Sequence, residues 1–203
     1  MNWDKKSGGV SGSGFRIMLV TALLAGCATA PEPQEQAQEK ELSEQQAQRE
    51  ALQKSFVEAL DAMKKGNEGT ARQQFETLHK EHPDRIGPLA NLGILALEAG
   101  NRAQAKAYFE QVLELDPSHA VALNHLGVIA RETGEFARAE SYYREALASQ
   151  QDYLPAIMNL AILLDIYLGR PGEALPLYEQ YQSLAENPNP RLKDWIFDAK
   201  NRI

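Results

Sequence analysis

The chain has 203 residues, enough for one globular core or for a series of small repeated units, and its 21 Lys and Arg oppose 28 Asp and Glu, a formal net charge of -7. An acidic chain repels a phosphate backbone, so nucleic acid is not predicted as a partner. A single cysteine cannot form an internal disulfide framework, so the compartment has to be inferred from the N-terminus.

Residues 1–27 show the sequence features of a secretory signal peptide in their usual order. Basic residues precede an apolar run from Ile17 to Leu24, which is too short to span a bilayer. The run ends in Leu24-Ala25-Gly26-Cys27, which resembles the bacterial lipobox. The resemblance implies that the thiol of Cys27 is acylated. An ordinary signal peptide cut near Ala30, with Cys27 discarded, is the alternative.

The residue after Cys27 is Ala28. In enterobacterial lipoproteins an Asp at this position favours retention at the inner membrane, so the resemblance implies a protein anchored in the outer membrane and facing the periplasm. Acyl chains contribute about 0.8 kcal/mol per buried methylene, so such an anchor needs no transmembrane helix.

Residues 28–51 are rich in Glu, Gln and Ala. We interpret them as a tether followed by a polar, partly helical linker. A trimerising coiled coil is the alternative, but Leu42 and Leu52 are too few to form a seam of several heptads.

A pattern of 34 residues then recurs four times. Between Ile86 and His119 it reads Leu89, Leu92-Gly93, Gly100, Ala105, Phe109 and Pro117. Equivalent residues recur at the same spacing in three further units. They are Ala59, Gly66, Ala71 and Phe75; Leu126-Gly127, Gly134, Ala139 and Tyr143; and Leu160-Ala161, Gly169, Ala174 and Tyr178. The last unit has one extra residue before Gly169. The spacing resembles the tetratricopeptide repeat (TPR) family.

That resemblance implies an all-α fold, a TPR solenoid of about four helix pairs. The predicted units are residues 52–85, 86–119, 120–153 and 154–188, and the extra residue is expected to lengthen the turn of the fourth. Leu192, Trp195, Ile196, Ala199 and Ile203 form an apolar stripe at helical spacing, so residues 189–203 are predicted to cap the array. Trp195 docking a partner is the alternative.

In TPR arrays the first helix of each pair lines a concave groove. The register predicts that a partner contacts Phe56, Leu60, Met63, Ile94, Leu97, Asn124, Val128, Arg131, Met158, Ile162 and Asp165. The family's carboxylate clamp is not matched, because these positions are largely apolar. The expected ligand is an apolar or amphipathic protein segment, with Asn124, Arg131 and Asp165 fixing its register. Occlusion by the preceding segment, or self-association, is the alternative.

No arrangement of residues predicts catalysis or a cofactor, since the chain has no nucleophile elbow and no phosphate loop. His79 and His82 lie three apart, a spacing that can hold a metal, but two solvated histidines are the simpler interpretation, so no metal site is predicted.

The predicted function is therefore a lipid-anchored interaction scaffold in the periplasm, a pilotin-like assembly or stability factor for an envelope machine such as a type IV or Tad pilus or a secretion system. An adaptor that recruits cell-wall enzymes or proteases is the alternative. A periplasmic enzyme or metal carrier is a third hypothesis, from a different class.

Overall fold

A computed structural model describes residues 33–203 as helices joined by short turns. Cys27 and the rest of the predicted signal peptide lie outside this range, as do residues 28–32. The helices are α1 (Pro33–Lys64), α2 (Glu68–Glu81), α3 (Ile86–Glu98), α4 (Arg102–Leu115), α5 (Ala120–Glu132), α6 (Phe136–Ser149), α7 (Leu154–Ile162), α8 (Pro171–Leu184) and α9 (Leu192–Asn201), with a π-helical turn (Leu163–Tyr167) directly after α7.

The helices form four pairs and a cap, which confirms the predicted all-α solenoid. The first helices are α1, α3, α5 and α7, and each packs against the helix that follows it. Every pair turns at a glycine in the left-handed region, with φ of 75° at Gly66, 76° at Gly100, 82° at Gly134 and 64° at Gly169. A residue with a Cβ is strained at such a φ, which is why these helix ends recur as glycine.

Close packing inside each pair explains the second glycine of the pattern. A Cβ added to Gly93 would lie 2.7 Å from the Phe109 ring, and one added to Gly127 would lie 2.5 Å from the Tyr143 ring. The aromatic side chain of the second helix therefore lies directly on the glycine of the first. Phe109 also reaches the next unit, where its ring stacks on His125 with centroids 4.9 Å apart.

Helix α1 includes residues of the predicted polar, partly helical linker and runs from them without a break into the first unit. It is 32 residues long. The side chains described between residues 34 and 51 are all exposed, among them Leu42 at 66%. Pairs within the helix, such as Lys40 with Glu44 at 3.9 Å, lie along this solvated half. The groove thus begins well beyond the start of α1.

The extra residue of unit four lies in the helix and not in the turn, which corrects the prediction. The Leu168 N–H donates to the Leu163 carbonyl over 3.0 Å, an i→i−5 bond that makes the turn π-helical. Counting back four residues from each turn glycine gives Ala62, Ala96 and Ala130 in units one to three and Asp165 in unit four. Because of the insertion, Asp165 points toward the interior of the helix pair, as alanine does at the equivalent position of units one to three.

Helix α9 packs on α8 through buried Leu192, Ile196 and Ala199. The Trp195 ring lies 6.1 Å from the Tyr178 ring, and Lys200 pairs with Glu179 at 2.9 Å. Ile203, predicted as part of the buried stripe, is 73% exposed, because the helix ends at Asn201.

Candidate functional site

A cavity of about 480 Å³ opens between the first helices α3, α5 and α7. It contains three of the predicted groove residues, Leu97, Asn124 and Val128. Its whole lining is Leu97, Glu98, Arg102, Asn124, His125, Val128, Glu132, Pro155 and Asn159. Each of units two, three and four thus contributes one apolar side chain, Leu97, Val128 or Pro155, and at least one polar side chain to the lining.

Other predicted groove residues lie on the first helices outside the cavity lining. They share the first helices and a half-buried state, in which part of each side chain packs on the core and part faces solvent. They are Leu60, Met63, Ile94, Met158 and Ile162. A row of half-buried apolar side chains can bury further area when a segment lies across it.

Two predicted groove residues do not line the groove. Phe56 is 1% exposed and packs edge-on against Phe75, with ring centroids 5.7 Å apart, because it fills the space between α1 and α2. Asp165 is 3% exposed because the π-helical turn directs it inward. Its carboxylate lies 2.6 Å from Arg202 Nη2 and accepts a bond from the Tyr178 hydroxyl at 3.2 Å. Asp165 therefore holds the C-terminal helix.

The sequence prediction missed Asn159, which completes a polar pair. Its Nδ2 donates to Asn124 Oδ1 over 2.9 Å and ties α5 to α7 at the cavity. The signal was present, since Asn91, His125 and Asn159 recur at the same place in successive units. Asn91 is instead buried and donates to the Gly87 carbonyl over 2.8 Å.

His125 lines the cavity as a neutral side chain. Burial lowers its pKa, and repulsion from His119 lowers it further, to about 4. Because one face of the imidazole stacks on Phe109, the ring also separates the cavity from the core. At neutral pH the wall it forms is uncharged.

The rim of the cavity carries paired charges. Arg102 of unit two reaches Glu132 of unit three, with 2.5 Å between Nε and Oε2. This pair leaves Glu98 as a further acidic side chain on the lining. The ion pair is solvent-exposed, so it fixes the mouth of the groove more than it stabilises the fold.

Arg131 lies one helical turn from Val128 on α5 and is held by aromatic groups. Its Nη1 donates to the Tyr167 hydroxyl over 3.1 Å, and the guanidinium carbon lies 5.5 Å from the centre of the same ring. Burial alone would lower the pKa of the guanidinium, but the interactions with Tyr143 and Tyr167 outweigh burial and raise it. Arg131 is therefore a cation at every physiological pH.

The metal hypothesis gains no support from the described region. His79 lies near the end of α2 and His82 is the residue that caps it. Across residues 33–203, no three His, Cys, Asp or Glu side chains lie close enough together to hold a metal ion. Over the same range, no helix combines the length and the apolar character that crossing a bilayer requires.

A second cavity, of about 410 Å³, lies on the opposite face between α6 and α8. Its lining is mainly aliphatic and consists of Arg144, Leu147, Ala148, Leu160, Leu164, Glu173, Pro176 and Leu177. The corresponding space between α4 and α6 is filled by Tyr142 and holds only about 10 Å³. The outer cavity exists because unit four has Leu177 where unit three has Tyr142.

The helix pairs, the turn glycines and the groove on the first helices define an all-α TPR solenoid, a fold of protein-interaction modules. A family model described as a tetratricopeptide repeat matches residues 90–153. No curated protein sequence matches the chain at a significant level.

Solved structures share the fold. MamA matches with a TM-score of 0.60 and 22% identity over 70% of this chain and 82% of its own. PilF of Pseudomonas aeruginosa matches with a TM-score of 0.67 and 18% identity over 77% and 70%. PilW, described as a widely conserved type IV pilus biogenesis factor, matches with a TM-score of 0.62 and 24% identity over 77% and 72%. At such identities these matches establish the TPR fold alone.

Proposed function

We propose that this chain is a lipid-anchored scaffold in the periplasm that binds an apolar segment of a partner protein along its first helices. It acts as an assembly or stability factor for an envelope machine, in the manner of a pilotin. The observation that carries the proposal is the cavity between α3, α5 and α7, where Leu97 and Val128 stand beside the Asn124–Asn159 pair.

The geometry suits an elongated ligand. Ile94, Val128 and Ile162 recur on consecutive first helices, so apolar anchors are offered at intervals along one face. The Asn124–Asn159 bond leaves the carbonyl of the half-buried Asn159 without a partner within the helices described, whereas Asn124 itself is only 3% exposed. This acceptor on the cavity lining can pair with a backbone N–H of a bound segment, which lacks such a partner once it leaves water.

The anchor part of the proposal rests on the sequence around Cys27. The basic start, the short apolar run and Leu24-Ala25-Gly26-Cys27 support acylation at the outer membrane. Cys27→Ser should abolish incorporation of labelled palmitate and release the chain from the membrane fraction. Equal labelling of the Cys27→Ser variant and the wild type would contradict the anchor and leave the groove untouched.

The fold shared with PilF, together with the description of PilW as a type IV pilus biogenesis factor, favours a pilus or secretion machine as the setting. Recruitment of cell-wall enzymes or proteases is the second candidate, and it uses the same groove.

The groove is tested with a charge placed on its apolar floor. Val128→Glu should cut partner recovery from envelope extracts by more than about tenfold, because an unpaired carboxylate would face an apolar ligand. Ile94→Glu should do the same. Leu147→Glu is the matched control, since Leu147 is also half-buried but lies on the outer face.

All three variants should keep most of their helical circular dichroism and melt cooperatively. Full partner recovery with folded Val128→Glu and Ile94→Glu would place binding elsewhere. Loss of recovery with Leu147→Glu to the same extent would assign the effect to stability.

A further inference from the structure

We infer that Arg131 is a recognition point for a carboxylate, and that the segment bound in the groove carries an Asp or Glu side chain within one helical turn of the residue that packs on Val128. This inference rests on the proposed function and specifies the chemistry of its ligand.

The first observation is the missing counter-ion. Arg131 has no carboxylate within 4.0 Å in the part of the chain that the structure covers, and its hydrogen-bond partner is the phenol of Tyr167. Five other arginines of the repeats and the cap pair with carboxylates, whereas Arg72 donates to the Leu95 carbonyl. The five are Arg102, Arg138, Arg144, Arg170 and Arg202. A half-buried cation without a counter-ion has lost hydration that only an anion would fully replace.

The second observation is that the guanidinium is held in place while part of it stays unsatisfied. The guanidinium lies over the Tyr167 ring, and the Phe136 ring packs against the same tyrosine with ring centroids 5.2 Å apart. The Nε of Arg131 is buried with no hydrogen-bond partner. A side chain fixed in this way loses little conformational entropy when it binds, so its fork is ready for a planar carboxylate.

The third observation is that Arg131 is the one charged residue among the equivalent positions of the four units. Counting back three residues from each turn glycine gives Met63, Leu97, Arg131 and Ile166. One charge among apolar neighbours defines a position along the ligand, whereas a row of charges would not.

The surrounding charge sharpens this position. Glu98 lies on the cavity lining, and the charge of Arg102 is already balanced by Glu132. The chain as a whole carries a net charge of -7. An acidic ligand residue is therefore repelled along most of the groove and attracted at Arg131, which favours a single register.

The test uses random peptides displayed on phage and selected against the immobilised full chain. Selected peptides should share apolar anchors and an Asp or Glu at a fixed distance from one of them. Replacing that acid by its amide in a synthetic peptide should weaken binding about tenfold to a hundredfold, since hydrogen bonds to charged groups contribute about 1.5 to 3 kcal/mol. This comparison needs no protein variant, so it holds whatever Arg131 does for folding.

Arg131→Gln should bind the acid and amide peptides equally, and Arg131→Lys should retain part of the difference. Enrichment of apolar anchors without an acid, or an acid preference that persists in Arg131→Gln, would overturn the inference and leave the groove intact. Failure to enrich any peptide that is sensitive to Val128→Glu would overturn both the inference and the proposed function.

Discussion

Units three and four share the residue spacing of the repeat but differ in what occupies its small, inward-facing positions. Unit three follows the pattern closely, with Gly127 under Tyr143 and an inward Ala130. Unit four has Ala161 in the place of that glycine and, after its π-helical turn, Asp165 in the place of that alanine. The regular unit presents the groove, whereas the irregular unit uses its differences to hold α9. A repeat next to the end of an array can therefore exchange close packing for polar attachment of a cap.

The contact between Gly127 and Tyr143 should give the largest effect. Gly127→Leu would place its Cβ about 2.5 Å from the ring, closer than carbon atoms approach, and should lower the free energy of unfolding by roughly 3 kcal/mol or more. Gly69→Leu is the control, because nothing lies within 4 Å of a Cβ there. Denaturant titration of both variants measures the difference. Equal losses would show that unit three is no more tightly packed than the start of α2.

His125 places a titratable group in unit three where units two and four have Asn91 and Asn159. Its pKa is about 4 in the folded chain and returns to its ordinary value of 6.5 on unfolding. The unfolded chain then binds the extra proton, so the stability tied to neutral His125 is fully present above pH 6.5 and is lost as pH falls toward 4.

This loss should reach about 2 to 3 kcal/mol. His125→Asn, which copies Asn91 and Asn159, should remove it. Thermal melts of wild type and variant at about pH 7 and about pH 4.5 compare them across the window in which the group titrates. Parallel behaviour of the two proteins would show that other groups carry the acid sensitivity.

The attachment of α9 should respond to a double-mutant cycle. Arg202→Ala leaves the buried Asp165 carboxylate without its cation and should cost about 2 kcal/mol, a value reduced because Arg202 is partly exposed. Adding Asp165→Ala copies Ala130 and should recover part of the loss. Hydrogen exchange should show faster exchange in α9 for the single variant while α5 stays protected. Additive losses in the double variant would contradict the coupling.

Filling the outer cavity should give the smallest change in stability, and this change should be a gain where the preceding substitutions cause losses. Leu177→Tyr copies Tyr142 and should fill the space between α6 and α8, raising stability by about 1 kcal/mol. Tyr142→Leu should open the corresponding space in the preceding junction and lower the melting temperature. Differential scanning calorimetry of the pair tests both signs. A lower melting temperature for Leu177→Tyr would mean that the cavity cannot accept a ring.

The sequence predicted the helix pairs because their determinants are local and repeated. A turn glycine and a small residue under an aromatic ring each have one structural solution, and they recur every 34 residues. Leu97 and Val128 were placed in the groove by the same count. These elements need no knowledge of distant contacts.

Counting along the 34-residue repeat misplaced or missed the residues whose positions depend on three-dimensional packing. Counting forward from Leu160 predicts that Asp165 faces the groove, whereas counting back from Gly169 predicts that it faces the interior of the helix pair. The orientation of Asp165 therefore depends on where the extra residue is inserted in the helix. Phe56 is buried because of the shape of the space beside Phe75. The bond from Asn159 to Asn124 joins side chains 35 positions apart and follows from the angle between helices.

Site-specific photocrosslinking in living cells can capture a partner that lies in the groove of the first helices. A benzophenone amino acid replaces Leu97, inside the groove, or Ala148, which is exposed beside the outer cavity. If the partner binds there, we expect one discrete adduct from position 97, none from position 148, and loss of the adduct when Val128→Glu is added. An adduct from position 148 alone, or one from position 97 that survives Val128→Glu in a folded protein, would contradict binding in the groove.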